Sequence, residues 1–153
     1  MQSEPKTHSI TPNLVVDGGV AAIDFYVRAL SARELYRLEG PAGKIAHAEL
    51  EIGGSVFAIA DEYPDYGFVS PKRHQGSSTS LSVYVPDVDR VAAQAVAAGA
   101  KLERPIVDEF HGDRVASLLD PFGHRWSIHT RLEKLSSDDI KRRYAELMAR
   151  DPG

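Results

Sequence analysis

Residues 80–99, SLSVYVPDVDRVAAQAVAAG, change period halfway along, and that change decides the fold. Leu81, Val83 and Val85 fall on one side of an extended chain and Ser80, Ser82 and Tyr84 on the other, as in a strand with one buried face. Pro86-Asp87 then opens a helix through VDRVAAQAVAA, and Gly99 closes it. The same order stands earlier in the chain. Residues 9–16, SITPNLVV, read as a strand that Asp17-Gly18-Gly19 breaks. Ala22, Ile23, Tyr26, Val27 and Leu30 follow helical spacing, with Asp17 available as an N-cap. Residues 29–33, ALSAR, lie over 97–101, AAGAK, at an offset of 68 (97 − 29 = 68).

Three strand-like runs follow each helix. In the first half they are 34–39, 45–52 and 55–61, the last two joined by Gly53-Gly54, a two-residue hairpin signal. In the second they are 101–107, 114–119 and 125–130, the last two separated by the turn Asp120-Pro121-Phe122-Gly123. Two tandem βαβββ modules, about 8–61 and 79–130, therefore make up nearly the whole chain, and the expected class is α+β in a single domain. The connection 62–78 is longer than most. Its Tyr63, Tyr66 and Phe68 are open to two readings, packing against the sheet or contact with a ligand. A last helix at about 136–150 starts at Ser136 or Ser137, with Asp138 and Asp139 at its positive end. Its stripe Ile140, Tyr144, Leu147, Met148 reads as a face that docks on its own domain or on a partner subunit. The first seven residues and the last few read as frayed ends.

Composition narrows the function. With 153 residues, 42% hydrophobic and 26% charged, the chain can bury a core without staples. Eighteen Lys and Arg against 22 Asp and Glu give a net charge of -4, which offers no basic footprint for nucleic acid. The absence of cysteine excludes disulfides, thiolate metal sites and a Cys nucleophile. Residues 1–13 lack an apolar signal core and no stretch reads as a membrane span, so a cytoplasmic protein is expected.

With the repeat in place, the chain resembles the glyoxalase/bleomycin-resistance/extradiol-dioxygenase superfamily, also called vicinal oxygen chelate. The resemblance is carried by ITPNLVVDGGVAAIDFYVRAL (10–30), GGSVFAIADE (53–62) and HGDRVASLLDPFGHRWSI (111–128). The last of these, with Gly112-Asp113-Arg114 ahead of 120–126, looks most like the small PhnB-like branch. The resemblance implies curved mixed sheets around an open cleft, built within one chain or between two, and commonly a homodimer. It also implies, for the enzymes, a divalent metal held from the first and last strand of each module. Those positions fall here on Thr11, Ala58, Ser80 and Ser127. A methyl group cannot coordinate, and neutral hydroxyls are poor ligands for the metals that select imidazole and carboxylate. No metal and no cofactor are therefore expected.

A displaced centre is the rival. His47 and Glu49 project together from their strand, and with His129 they make two imidazoles and a carboxylate, a set suited to iron or zinc. His124 reads as an anchor for its turn, and Asp113-Arg114 as an ion pair or part of a ligand clamp. No G-x-S-x-G elbow or phosphate-cradling glycine run is present, and no nucleophilic triad stands out. Strand parity sets Thr11, Asn13, Val56, Ala58, Ala60, Ser80, Ser82, Tyr84, Arg125, Ser127 and His129 toward the cleft. Leu14, Val16, Phe57, Ile59, Leu81, Val83, Val85, Trp126 and Ile128 go to the core. The candidate ligand-binding set is Thr11, Asn13, His47, Glu49, Ser80, Ser82, Tyr84, Arg125, Ser127 and His129. The function expected is metal-free binding of a polar, aromatic small molecule reached past Tyr63, Tyr66 and Phe68, in the manner of bleomycin-resistance proteins. The alternatives are a metal-dependent enzyme with shifted ligands and a non-catalytic dimeric interaction module. The partners expected are a small molecule and a second copy of the chain, with neither nucleic acid nor membrane.

Overall fold

The computed structural model describes residues 8–151, and the frayed ends expected at 1–7 and 152–153 lie outside them. In chain order the elements are β1 (Asn13–Val16), α1 (Gly19–Leu30), β2 (Arg33–Glu39), β3 (Ile45–Ile52), β4 (Ser55–Asp61), β5 (Ser80–Tyr84), α2 (Val88–Ala98), β6 (Lys101–Leu102), β7 (Val107–Asp108), β8 (Asp113–Leu119), β9 (Arg125–Arg131) and α3 (Ser137–Arg150). They form the α+β architecture expected. The first sheet has the order β1-β4-β3-β2; the second runs β5-β9-β8-β6, with β7 also on β8. In each sheet the strand before the helix pairs in parallel with the last strand of its module.

The register makes the repeat quantitative. Asn13 faces Ala58 and Ser82 faces Ser127, so both partners move by 69 positions between the modules (82 − 13 = 69; 127 − 58 = 69). The offset of 68 read at the helix ends differs by one because α1 has 12 residues and α2 has 11. The residue missing from α2 leaves β8 at an offset of 68 from β3 (118 − 50 = 68), and the β8–β9 turn regains it by setting three residues between Asp120 and His124 where Gly53 and Gly54 alone separate Ile52 from Ser55. Gly53 and Gly54 both have positive φ, 56° and 85°, as the tight β3–β4 hairpin requires.

α1 and α2 pack together and cover one side of both sheets, so the two modules share a single core. Leu14, Val16, Phe57 and Ile59 enter it from the first sheet, and Leu118, Trp126 and Ile128 from the second. The Tyr26 ring lies 5.6 Å from Phe57 and 5.4 Å from Trp126, which links α1 to both sheets. Each such aromatic pair contributes about 0.5–1.5 kcal/mol beyond its burial.

Two buried carboxylates organise the helix and turn ends. Asp61 Oδ1 accepts from the backbone N–H groups of Gly18 and Gly19, both at 2.9 Å, and Oδ2 accepts from Ile45 N–H at 2.8 Å. Asp17 is thus not the N-cap: the cap position is Gly18, and a carboxylate from the end of β4 does the work. A methyl at Gly19 would stand 2.7 Å from both Ile45 Cβ and Asp61 Oδ2, so only glycine fits that approach. Position 130, 69 beyond Asp61, repeats the device: Thr130 Oγ1 accepts from Val88 N–H at 2.8 Å. Asp120 serves the β8–β9 turn, accepting from Phe122 N–H (2.8 Å), His124 N–H (2.9 Å), Trp126 Nε1–H (2.9 Å) and the Tyr26 hydroxyl. Burial first, then the Asp120 charge, raises the Tyr26 phenol well above its usual range, so it stays a donor. His124 anchors the same turn by donating from Nε2 to Val15 O at 2.9 Å.

Two local expectations are corrected and two open readings are narrowed. The first strand starts at Asn13, since Pro12 has no N–H for the ladder and Ile10 is 84% exposed. The run 101–107 is broken into β6 and β7, with Pro105 in the gap. Tyr66 and Phe68 stand out from the molecule, 79% and 58% exposed, instead of packing on the sheet. The stripe of α3 is covered by its own domain only in part: Ile140 is half-buried and the Tyr144 ring lies 5.5 Å from Phe110, while Tyr144, Leu147 and Met148 are at least 40% exposed. Arg143 ties that helix down by donating to Glu133 at 2.7 and 3.1 Å.

Candidate functional site

The side of the second sheet away from the helices is built of small and polar residues. β5 and β9 run in register, so Ser80 stands by Arg125, Ser82 by Ser127 and Tyr84 by His129. On the other side of β9, Ser117 stands by Ser127 and Val115 by His129. Alternation along the strands puts all of these except the helix-facing neighbours on one face. Three hydroxyls, Ser82, Ser127 and Ser117, cross its middle and leave room where larger side chains would fill it.

One end of this face carries two arginines, each set against a glutamate, Arg125 against Glu103 and Arg104 at 3.9 Å from Glu109. A cavity of about 360 Å³ is lined by Ser80, Glu103, Arg104, Ser117, Arg125 and Ser127, among others. Arg125 Nη2 lies 3.2 Å from Glu103 Oε2, and Arg104 Nε donates to Ser117 Oγ at 3.0 Å. A planar guanidinium suits a carboxylate or phosphate group, and Glu103 shows the pairing in miniature.

The other end centres on Asp113, only 3% exposed. Its Oδ2 accepts from the Tyr84 hydroxyl at 2.8 Å and meets His129 Nδ1 at 3.0 Å. His111 Nδ1 is 3.6 Å from the same oxygen, and Arg131 Nε is 3.8 Å from Oδ1. Burial alone raises the Asp113 carboxyl. The bonds from Tyr84 and His129 and the charges of the two histidines outweigh that and hold it below the ordinary carboxylate range. A depressed folded value stabilises the protein above the unfolded pKa and loses that effect as pH falls through the folded value. Asp113→Asn therefore lowers Tm at neutral pH, and the gap to wild type shrinks as pH falls below the unfolded aspartate value of about 4. Thermal melts from pH 7 to pH 3 test this; a gap that widens in acid contradicts the assignment.

The expected Asp113–Arg114 pair is not formed, because adjacent strand residues point to opposite faces. Arg114 instead holds Asp89 of α2 at 2.9 and 3.0 Å and Asp108 at 2.9 Å. Ser127 Oγ lies 2.9 Å from His129 Nε2, so a serine, a histidine and an aspartate stand in one hydrogen-bonded line that the sequence does not announce. His111, Arg104 and Ser117 are the members missed, while Asp113 enters the sequence reading only together with Arg114. Applying strand parity to β8 would have put Asp113 and Ser117 on this face.

The first-module candidates are distributed differently. Asn13 shares a groove of about 770 Å³ with Val69, Pro71, His74, Thr79 and Arg125, so the connection 62–78 reaches this groove through residues 69–78 and not through Tyr63, Tyr66 or Phe68. Ser82 and Tyr84 line a second groove, of about 400 Å³, with Ile10, Pro12 and Val56. Thr11 contributes its carbonyl to Asn13 Nδ2–H at 3.1 Å. Val56 and Ala58, expected to face a cleft, are 5% and 1% exposed. His47 and Glu49 pair at 3.6 Å on β3 of the first sheet. They do not meet His129, which is engaged with Asp113 and Ser127 on the second. Among the described residues no group of three or more His, Asp or Glu is arranged to hold a metal ion, and no helix is long and apolar enough to cross a membrane.

The positions where the resemblance sets a metal carry a buried methyl at Ala58 and hydroxyls at Thr11, Ser80 and Ser127, a donor set that does not fit such an ion.

Comparison with known proteins agrees with this architecture. The family model described as Glyoxalase/Bleomycin resistance protein/Dioxygenase superfamily matches residues 8–128. An uncharacterized protein of Mycobacterium tuberculosis H37Rv is 37% identical over 136 residues, covering 87% of this chain and 80% of the relative. Among solved structures, TioX from Micromonospora sp. ML1 matches with a TM-score of 0.62 at 27% identity, over 85% of this chain and 100% of that one. The fosfomycin resistance protein FosX from Listeria monocytogenes, solved with Mn(II) and sulfate, matches with a TM-score of 0.65 over 92% of this chain and 99% of that one. At 15% identity that last likeness is one of fold alone.

Proposed function

The chain belongs to the glyoxalase/bleomycin resistance protein/dioxygenase superfamily, and from that premise we propose that it is a metal-free binder of a small carboxylate-bearing molecule. The ligand lies on the serine face of the second sheet, with its acidic group at Arg125 and Arg104. The single observation that carries this is the 360 Å³ cavity floored by Ser80, Ser117 and Ser127 and edged by Arg104, Arg125 and Glu103, where the ligand's acidic group takes the place of the Glu103 carboxylate on Arg125. Small hydroxyls give volume and orienting hydrogen bonds, and the guanidinium groups select an anion in spite of the acidic overall charge. Within the superfamily we assign the chain to the PhnB-like branch, on Gly112-Asp113-Arg114 and the 120–126 motif. We read the open sheet faces and the exposed part of the α3 stripe as surfaces completed by a second copy of the chain.

The test is a thermal-shift series with benzoate and salicylate against neutral benzamide, run on wild type and Arg125→Ala, with sedimentation of the same samples. At a hundredfold excess over Kd a ligand stabilises by about 2.7 kcal/mol, a rise in Tm of about 5–10 °C. The carboxylates raise Tm, benzamide does not, Arg125→Ala removes most of the rise, and the species sediments at twice the chain mass. A rise produced instead by stoichiometric Zn(II) or Mn(II), and lost in His47→Ala, overturns the reading in favour of a displaced metal centre.

A further inference from the structure

The line Ser127–His129–Asp113 does more than fill a face with polar groups. Asp113 is held ionised and therefore only accepts, so His129 Nδ1 carries the proton that points at it. In the neutral imidazole Nε2 then keeps its lone pair, 2.9 Å from Ser127 Oγ, and accepts the hydroxyl hydrogen. This is the tautomer a general base needs. It is fixed by a carboxylate that is itself held by the Tyr84 hydroxyl at 2.8 Å. His129 is further confined by the Tyr84 ring, 5.1 Å away, and the His111 ring, 5.9 Å away. The serine end of the line opens into the 360 Å³ cavity, while the aspartate end is closed to solvent. Ser117, the cross-strand neighbour of Ser127, accepts from Arg104 Nε at 3.0 Å, which sets a guanidinium on that side of the cavity with Glu109 3.9 Å behind it. A polar cluster of purely structural purpose has no need of this polarity, with a buried acid behind, an oriented imidazole in the middle and a half-buried hydroxyl at the cavity in front.

We propose that Ser127 is a nucleophile, His129 its general base and Asp113 the positioning carboxylate, and that this face hydrolyses small carboxylate-bearing esters. The inference rests on the ligand face described above and adds a reaction to it. Ser127 Oγ forms a bond to the ester carbonyl carbon as its proton passes to His129 Nε2. The π electrons of the carbonyl move onto its oxygen, toward the Arg104 guanidinium. Collapse restores the carbonyl and breaks the bond to the alcohol, which leaves with the proton from His129. Water then attacks the acyl-serine, giving one proton to His129. The second collapse expels Ser127 Oγ, which takes that proton back, so ester and water become acid and alcohol with nothing else consumed. An i, i+2 placement of serine and histidine on one strand gives the pair a common face without a strained elbow.

The experiment incubates the full chain with p-nitrophenyl acetate and p-nitrophenyl hemisuccinate. It follows p-nitrophenol release and maps acyl adducts by peptide mass spectrometry. The expected results are faster turnover of the anionic ester, an adduct on Ser127 after acid quench, and a loss of at least about a hundredfold in Ser127→Ala. Asp113→Asn lowers kcat with little change in KM, because it acts through the imidazole and not on the ester, and Asp113→Glu restores part of the loss. Circular dichroism and the benzoate thermal shift are recorded on the same variants. A folded wild type that shifts with benzoate yet forms no Ser127 adduct overturns the hydrolase and leaves the binding face standing. Turnover that persists undiminished in Ser127→Ala overturns it as well. Absence of both benzoate shift and adduct removes the ligand face itself.

Discussion

Asp120→Ala lowers the stability of the folded chain by about 4 kcal/mol, a fall in Tm of about 8–16 °C. The carboxylate is 4% exposed and accepts four hydrogen bonds, from Phe122 N–H, His124 N–H, Trp126 Nε1–H and Tyr26 O–H. Each buried donor left without an acceptor costs about 1–3 kcal/mol, and partial access of water to the vacated space offsets some of the total. The loss is large because the four donors come from both modules, so the turn, the second sheet and α1 loosen together. Tyr26→Phe removes one donor and leaves three, and is expected to cost about 1–2 kcal/mol. Asp120→Asn falls between the two, since its NH2 group can face the tyrosine oxygen but not the indole N–H. Urea melts followed by tryptophan fluorescence measure all three. An alanine variant within about 1 kcal/mol of wild type contradicts the account of Asp120 as the joint between the modules.

Asp61→Ala is expected to cost about 3 kcal/mol. Three backbone N–H groups, those of Gly18, Gly19 and Ile45, lose their acceptor, and the N-terminus of α1 loses its negative charge. Asparagine does not repair the site. Its single carbonyl oxygen can serve either the glycine pair or Ile45, while its NH2 group meets a further donor. Asp61→Asn is therefore nearly as damaging as alanine, the reverse of the usual expectation for an N-cap, where asparagine ranks beside aspartate. Hydrogen exchange localises the effect to residues 18–22 and 45. Equal protection of those amides in wild type and Asp61→Asn contradicts the three-way role.

Asp61 and Thr130 also show where sequence reading stops. Asp61 is the last residue of β4 and Thr130 the last but one of β9, each on a strand side otherwise apolar toward the core, and they are 69 positions apart, so the repeat marks them as equivalent. Nothing local says that they cap the helices at Gly19 and Val88, because the donor and the acceptor lie more than 40 positions apart. Asp17 is adjacent to the helix and is the natural local candidate, yet Gly18 holds the cap position and the buried carboxylate comes from β4. Tyr63, Tyr66 and Phe68 mislead in another way. Aromatic side chains in a connection invite a ligand role, but here the groove beside Arg125 is walled by Val69, Pro71 and His74.

The order of elements, the hairpins, the helix ends at Gly99 and Ser136 and the division of β5 and β9 into a core side and an open side follow from the sequence alone. These are properties of period and of single conformationally special residues, and they act within a few positions. The partners of Asp113, the separation of His47 and Glu49 from His129, and the joint at Asp120 were decided by the tertiary structure. Each depends on which strands lie side by side and how one sheet is set against the other. Tyr26 and Asp120, 94 positions apart, meet only because two helices bury their apolar stripes in one core. Hydrophobic burial has no memory of chain distance, and so the charges it brings together cannot be read from their neighbours.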